Sequence, residues 1–300
     1  MKIAQYLIAI VVGLLFMVSG ILKLYPIEML ELDLGYHTGM PEWLSMVIAR
    51  LLIGFEMVLG IFLMIRFQEK RTLRCAAFVL IFFSFYLVYL MIQFPSQDNC
   101  GCMGMMAPMT PLQSLLKNLG MLGLIFVLIK ISSEGRPSWL LLHKGVLVFV
   151  VIGLTLPFVL NHIDWRKDEL RQSFSGSIHP EILEGINLKP NETALLAYVS
   201  PHCIYCKMLA RKWEWLKARN NWSTPIHLVF MGEHIEEDIQ TFFSQTGLQA
   251  KTYRTMNAVE FVQKTHGSLP SAYLIQNGSV VQKDNFISLN ESQLQEVLVR

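Results

Sequence analysis

Four of the five cysteines in these 300 residues fall in two close pairs, Cys100-Gly101-Cys102 and Cys203-Ile204-Tyr205-Cys206. Two thiols held that close can form a disulfide and reopen it, and each cycle moves two electrons. Ahead of the second pair, an apolar strand pattern, Thr193–Ser200, leads into Pro201-His202. A helical run, Met208–Arg219, follows the pair. This order sets Cys203 in the first turn of a helix, where unsatisfied amides and the helix dipole favour a thiolate. Cys203 is the expected attacking sulfur and Cys206 the resolving one. A structural disulfide and half of a metal site are the competing readings. No second Cys-x-x-Cys or paired His follows, so zinc would lack ligands and no metal is expected. In the first pair, glycine gives the backbone freedom to close a small strained ring, and strain makes a disulfide easier to reduce. Cys75 stands alone and reads as a small apolar helix residue.

The elements that position these pairs come from two unlike halves. Hydrophobic residues make up 53% and charged residues 16%, with a mean hydropathy of +0.41, too apolar for a wholly soluble protein. Five stretches approach the ~20 residues of a helical span: Ile3–Leu22, Leu44–Met64, Cys75–Ile92, Leu112–Ile131 and Leu140–His162. The first follows Lys2, but it is long for a leader core and no small-x-small site follows, so it reads as a retained helix. Arg66, Lys70, Arg71, Arg74, Lys130, Arg136 and Lys144 lie in the segments of one side, and Glu28, Glu31, Asp33, Glu42 and Asp98 in those of the other. The positive-inside rule then puts the N-terminus in the cytoplasm and 23–43, 94–111 and everything after about 163 outside. Both cysteine pairs fall on the outer side, where disulfides persist. The expected location is a multi-pass cell membrane, with the lipid bilayer as one partner. A net charge of +2 with no basic stripe gives no reason to expect nucleic acid.

Residues 164–300 read as α/β. Strands are expected at Thr193–Ser200, Ile226–Met231, Ser271–Gln276 and Val280–Asp284, the last two turning at Asn277-Gly278. Helices are expected at Met208–Arg219, Ile235–Thr246, Asn257–His266 and Leu289–Val299. Strand, Cys-x-x-Cys, helix, then Gly267-Ser268-Leu269-Pro270 before a hairpin and a last helix resembles the thioredoxin-like (thioredoxin/DsbA-type) domain over about 175–300. That resemblance implies that Pro270 is a cis-proline facing the cysteines, with the Leu269 backbone meeting an extended client chain. The pattern departs from thioredoxin in lacking Trp-Cys-Gly-Pro-Cys, so Ile204-Tyr205 does not place the potential.

In the apolar half, Ser19-Gly20-x-x-Lys23, Arg50 with Gly54 and Glu56, the Asn99–Gly104 loop and Lys117-Asn118 together resemble the MauE/DoxX family of small membrane proteins over about 1–135. In that family a four-helix core presents a similar cysteine loop. Fusion to a thioredoxin-like domain is similar in architecture to vitamin K epoxide reductase homologues, which implies a quinone. The expected fold is thus an all-α transmembrane bundle, a four-helix core plus a fifth span, followed by an α/β thioredoxin-like domain. The boundaries are 1–135, 136–174 for the fifth helix and connector, and 175–300, with a hinge at Ser175-Gly176-Ser177. Lys23, Arg50, Glu56 and Lys117 are costly charges within spans and are candidates to border a quinone pocket. The competing reading is packing, with an Arg50–Glu56 ion pair and Lys23 reaching to the interface. Met103, Met105, Met106 and Met109 near the loop are soft enough for copper but more often form apolar surface. Asn191 and Asn221 sit in glycosylation patterns that also occur by chance.

The expected function is a thiol–disulfide oxidoreductase relaying electrons from client proteins with cysteines through Cys203–Cys206 and Cys100–Cys102 to quinone. Reversed, outward electron flow and a non-catalytic MauE-like assembly factor are the alternatives.

Overall fold

In a computed structural model the chain forms two compact units, residues 1–34 with 41–163 and residues 35–40 with 164–300. The structure describes residues 2–67, 69–95, 100, 102–104, 107, 109–132, 142–163, 192–232, 236–289 and 291–298. The Trp165–Phe174 connector, the Ser175–Ser177 hinge, the boundaries at 135 and 174, and Asp98, Asn99, Gly101, Met105, Met106, Arg136 and Asn191 lie outside the described residues.

The first unit consists of α1 (Lys2–Lys23), the greater part of α2 (Ile27–Thr38), α3 (Glu42–Met64), α4 (Glu69–Gln93), α5 (Pro111–Ile131) and α6 (Leu142–Leu160). Long apolar runs become helices because a helix satisfies every backbone donor and acceptor within itself, as lipid demands. α1, α3, α4 and α5 are each long and apolar enough to cross a membrane. One cluster, including Val12, Phe16, Leu59, Leu63, Ala76, Leu80, Ile125 and Leu128, draws on all four. α5 starts with a capping box: Thr110 accepts from the Gln113 amide, the Gln113 side chain accepts from the Thr110 amide, and Pro111 takes the first helical position.

One segment differs from the sequence expectation. Residues 23–43, read as an outer loop, contain α2. Its acidic residues signalled solvent, yet Glu31 and Asp33 are buried, and Leu24 and Ile27 pack on Ala49, Ile53 and Met57 of α3. The fifth stretch contains α6, whose apolar part Val146–Leu160 is shorter than the ~20 residues of a span. α6 nevertheless lies along α3 in the opposite sense. Phe149 meets Phe62 at 6.0 Å, Gly153 meets Gly54, and the Asn161 carbonyl accepts from Arg50 Nε at 2.9 Å. A Cβ on Gly54 would come within 2.8 Å of the Gly153 oxygen, so glycine sets how closely these helices approach.

The unit has two distinct ends. Gln5 donates to the Ile131 carbonyl at 2.8 Å and Arg66 covers Tyr6 at 4.4 Å, which gathers the start of α1, the α3–α4 turn and the end of α5. Lys23, Glu31, Arg50, Asn161 and the cysteine loop occupy the other end.

The second unit contains β1 (Ala194–Val199), α7 (Ile204–Asn220), β2 (Ile226–Met231), α8 (Glu236–Thr246), β3 (Thr252–Met256), α9 (Ala258–Thr265), β4 (Ser271–Gln276), β5 (Ser279–Asp284) and α10 (Glu291–Leu298). The five-stranded sheet has the order β3-β2-β1-β4-β5, with β1, β2 and β3 parallel and β4 and β5 antiparallel. β1 is buried along its whole length, as a central strand covered on both faces must be. Strand β3 was not foreseen, because an exposed edge strand such as Thr252-Tyr-Arg-Thr-Met carries little apolar signal. Asn221, in one of the glycosylation patterns, closes α7 in the left-handed conformation (φ 54°).

Candidate functional site

In the second unit β1 delivers the chain to Ser200-Pro201-His202, and Cys203 caps α7 with extended backbone. Its sulfur accepts from the Cys206 amide at 3.3 Å, the place a Ser or Asp oxygen takes in most caps. Cys206 is fully buried and accepts from the Ser200 amide at 3.4 Å. Cys203 is lowered to about 7, first by the Cys206 thiol donating to it, then by the Cys206 and Tyr205 amides and the Lys207 ammonium, against the opposing effect of burial. Cys206 is pushed far up, first by burial and then by its hydrogen bond and charge interaction with Cys203. The two environments pull the pair apart, making Cys203 the more acidic thiol and holding Cys206 protonated.

The Leu269–Pro270 bond is cis, and Pro270 is buried. β1 and β4 are antiparallel with Tyr198 opposite Ser271, so Pro270 stands beside the end of β1, a few residues before Cys203. Tyr205 stacks on Phe286 at 5.1 Å, tying the first turn of α7 to the segment after β5. Cys203, Cys206 and Pro270 therefore share one end of the sheet.

The cysteine loop of the first unit folds back onto its helices. Cys100 is 4% exposed and packs with Leu87 and Leu90 of α4 and Leu115 of α5, while Cys102 is half-buried. The Cys100 amide donates to the Met109 carbonyl at 3.1 Å, and Ser19 of α1 donates to the Cys102 carbonyl at 3.2 Å. Gly104 has a φ of 68°, and a Cβ there would stand 2.1 Å from the Leu22 carbonyl oxygen. Only glycine lets the loop seat on the end of α1. Cys100 is lowered to about 7, first by the Cys102 thiol, then by the Ser114 hydroxyl and the Cys102 amide, with burial opposing. Cys102 is raised, first by the hydrogen bond it gives and then by burial.

The two sulfurs border a cavity of about 70 Å³ inside the unit, walled by Phe16, Phe83, Tyr86 and Leu80 and reached by Lys23, Glu56, Lys117 and Asn118. Lys23 Nζ donates to both Glu56 oxygens at 2.6 and 2.7 Å, and Ser19 donates to Glu56 Oε2 at 3.2 Å. Lys23 is held inside instead of reaching to the interface. Arg50 does not border the cavity, and the Arg50–Glu56 pair does not form. Arg50 instead binds Glu31 of α2, the Met46 carbonyl and the Asn161 carbonyl, because α2 fills the space on that side of α3. Lys23, Glu56 and Lys117 thus come together with Cys100 and Cys102, and Arg50 does not. Ser114, Phe83 and Tyr86 are neighbours the sequence did not single out. No motif marks them, since each is an ordinary helix residue until the loop folds over it.

Residues 1–131 match the family described as Methylamine utilisation protein MauE. The match takes in α1 to α5 and the cysteine loop. Protein TlpB of Flavobacterium psychrophilum is 24% identical over 340 aligned positions, covering 95% of this chain and 92% of that protein. That likeness runs through both units. The protein is a multi-pass membrane protein with a MauE-like bundle and an α/β unit, and each carries a cysteine pair.

Proposed function

We propose that this protein is a membrane thiol–disulfide oxidoreductase that passes electrons from client proteins through Cys203–Cys206 to Cys100–Cys102 and on to a quinone. The observation that carries this reading is that Cys100 and Cys102 border a buried, charge-bearing cavity inside the bundle instead of hanging in an outer loop. In the first step a client thiolate attacks the Cys203 sulfur of the Cys203–Cys206 disulfide, breaking that bond and releasing Cys206 as a thiolate that takes up a proton. The client's second thiolate then attacks the mixed disulfide, so that the client leaves with its own S–S bond and Cys203 is released as a thiolate beside the Cys206 thiol. The reduced pair then gives its two electrons to the loop disulfide, which opens to two thiols. Fusion in one chain raises the effective concentration of the pairs to roughly millimolar.

The donor set fits a quinone: aromatic walls suit a flat ring, and the Lys117 ammonium and Asn118 amide suit its carbonyl oxygens. The volume is less than half of the ~150 Å³ that takes up benzene, so it admits a carbonyl edge unless the walls give way. Lys23 is committed to Glu56, which leaves Lys117 as the cavity's ammonium available for a carbonyl among the described residues. A bound quinone would supply a two-electron, two-proton acceptor. The gathering of Arg66, Lys130 and the α1 start at one end, with the cysteine loop and the close of α6 at the other, supports an extracytoplasmic cysteine end.

The test is the in-cell redox state of Cys203–Cys206, by acid quenching and thiol alkylation, in wild type and in Cys100→Ser/Cys102→Ser. Oxidised in wild type and reduced in the variant is the expected result. The opposite pattern means outward electron flow, and unchanged in-cell function after Cys203→Ser means an assembly role. Quinone reduction in membranes that survives Lys117→Ala at the wild-type rate removes the pocket assignment.

A further inference from the structure

Resting on that relay, we propose that Ser114 makes Cys100 the leaving sulfur of the loop disulfide, so that exchange with the α/β unit runs through a Cys102–Cys203 bond. Ser114 is fully buried in the first turns of α5, and its Oγ lies 3.0 Å from Cys100 Sγ. Either atom can donate when both are protonated. Once Cys100 is a thiolate, only the hydroxyl can. The Cys102 amide also acts on the Cys100 sulfur in the sense that favours its thiolate. No hydrogen bond to the Cys102 sulfur is seen among the described residues: its own thiol gives one to the Cys100 carbonyl, its carbonyl is held by Ser19, and what favours its thiolate is the charge of Lys23 and Lys117.

Thiol exchange favours the reachable sulfur and the better-stabilised leaving thiolate. Here both preferences agree, since Cys100 is 4% exposed among leucines and Cys102 is half-buried. The step balances as follows. The Cys203 thiolate forms a bond to Cys102, the Cys100–Cys102 bond breaks, and its electron pair stays on Cys100. Cys206 then gives up its proton and attacks Cys203, forming the Cys203–Cys206 bond and releasing Cys102 as a thiolate that takes up a proton. Run backwards, outward flow passes through the same Cys102–Cys203 bond, so the assignment does not depend on direction. Ser114 acts through Cys100 and is a positioning residue.

Two experiments on the full-length protein in membranes test this. In Cys206→Ser, where the mixed disulfide cannot be resolved, alkylation followed by tandem mass spectrometry reads which loop sulfur is bonded to Cys203. A Cys102 link with alkylated Cys100 is expected. A Cys100 link overturns the proposal while the relay stands, whereas the absence of any link sinks the relay. Separately, the pH profile of alkylation of the reduced loop is compared in wild type, Ser114→Ala and Ser114→Thr. Losing a hydrogen bond to a thiolate weakens the acid roughly tenfold, which at neutral pH takes the Cys100 thiolate from about one half to about one tenth, and roughly threefold higher intrinsic reactivity offsets part of that. Cys100 in Ser114→Ala is therefore expected to react about twofold more slowly at neutral pH, with its profile moved up, and Ser114→Thr is expected to restore it. An unmoved profile in Ser114→Ala, or Cys100 titrating no lower than Cys102, overturns the assignment.

Discussion

Changing the pH should bend the redox behaviour of Cys203–Cys206 at a defined point. The reduced pair loses its first proton near pH 7, from Cys203, and Cys206 holds its proton far beyond. In a two-electron couple each proton taken up adds about 30 mV per pH unit to the slope of the midpoint potential. The potential should then fall by about 60 mV per unit below pH 7 and about 30 mV per unit above it. The sign agrees with folding linkage. Cys203 is an acid whose value is lowered on folding, so its stabilisation is present above the ordinary thiol value of 9.0 and is lost as pH falls through about 7. The rate follows from the same shift. At pH 7 half of Cys203 is thiolate, against about one part in a hundred for a thiol at 9.0. Lower basicity removes roughly six- to tenfold of that gain, leaving roughly five- to eightfold faster exchange. The assay is equilibration of full-length Cys100→Ser/Cys102→Ser with glutathione buffers on both sides of pH 7, read by alkylation mass shift. A single slope of about 60 mV per unit through the whole range refutes the acidified cap sulfur.

Three further outcomes are expected. Glu56→Gln leaves the Lys23 ammonium buried beside a neutral amide and should cost about 3–5 kcal/mol, seen as a lower unfolding temperature in detergent, with Lys23→Met/Glu56→Gln recovering much of the loss. Gly104→Ala places a methyl against the Leu22 carbonyl at a positive φ. It should lift the loop from α1 and slow reoxidation of Cys100–Cys102 in membranes, with little change in Cys203 alkylation. Arg50→Ala leaves Glu31 and the Asn161 carbonyl without their partner. It should increase protease cleavage near residue 161 more than Arg50→Lys does, since lysine keeps the charge.

Much of this was legible in the chain because its signals are local. A run of apolar residues forces a helix in lipid whatever surrounds it, so α1, α3, α4 and α5 could be placed from hydropathy. The strand before Cys203, the Asn277-Gly278 turn and the proline before β4 carry their own backbone chemistry. α2 and β3 were not legible, for opposite reasons: α2 turns acidic residues inward, and β3 leaves most of its residues outside.

The sequence by itself determined the two-part architecture, the two cysteine pairs, and the placing of Cys203 ahead of Cys206 at the start of a helix, because position in a helix's first turn follows from local order. Tertiary structure alone decided which charge meets which. Arg50 and Glu56 are six residues apart on one helix, yet their partners come from α2 and α1, brought in by packing. Tertiary structure also decided that Cys100 and Cys102 lie over a cavity and that Ser114 touches one of them, because a loop of small and polar residues carries no record of the surface it will fold onto.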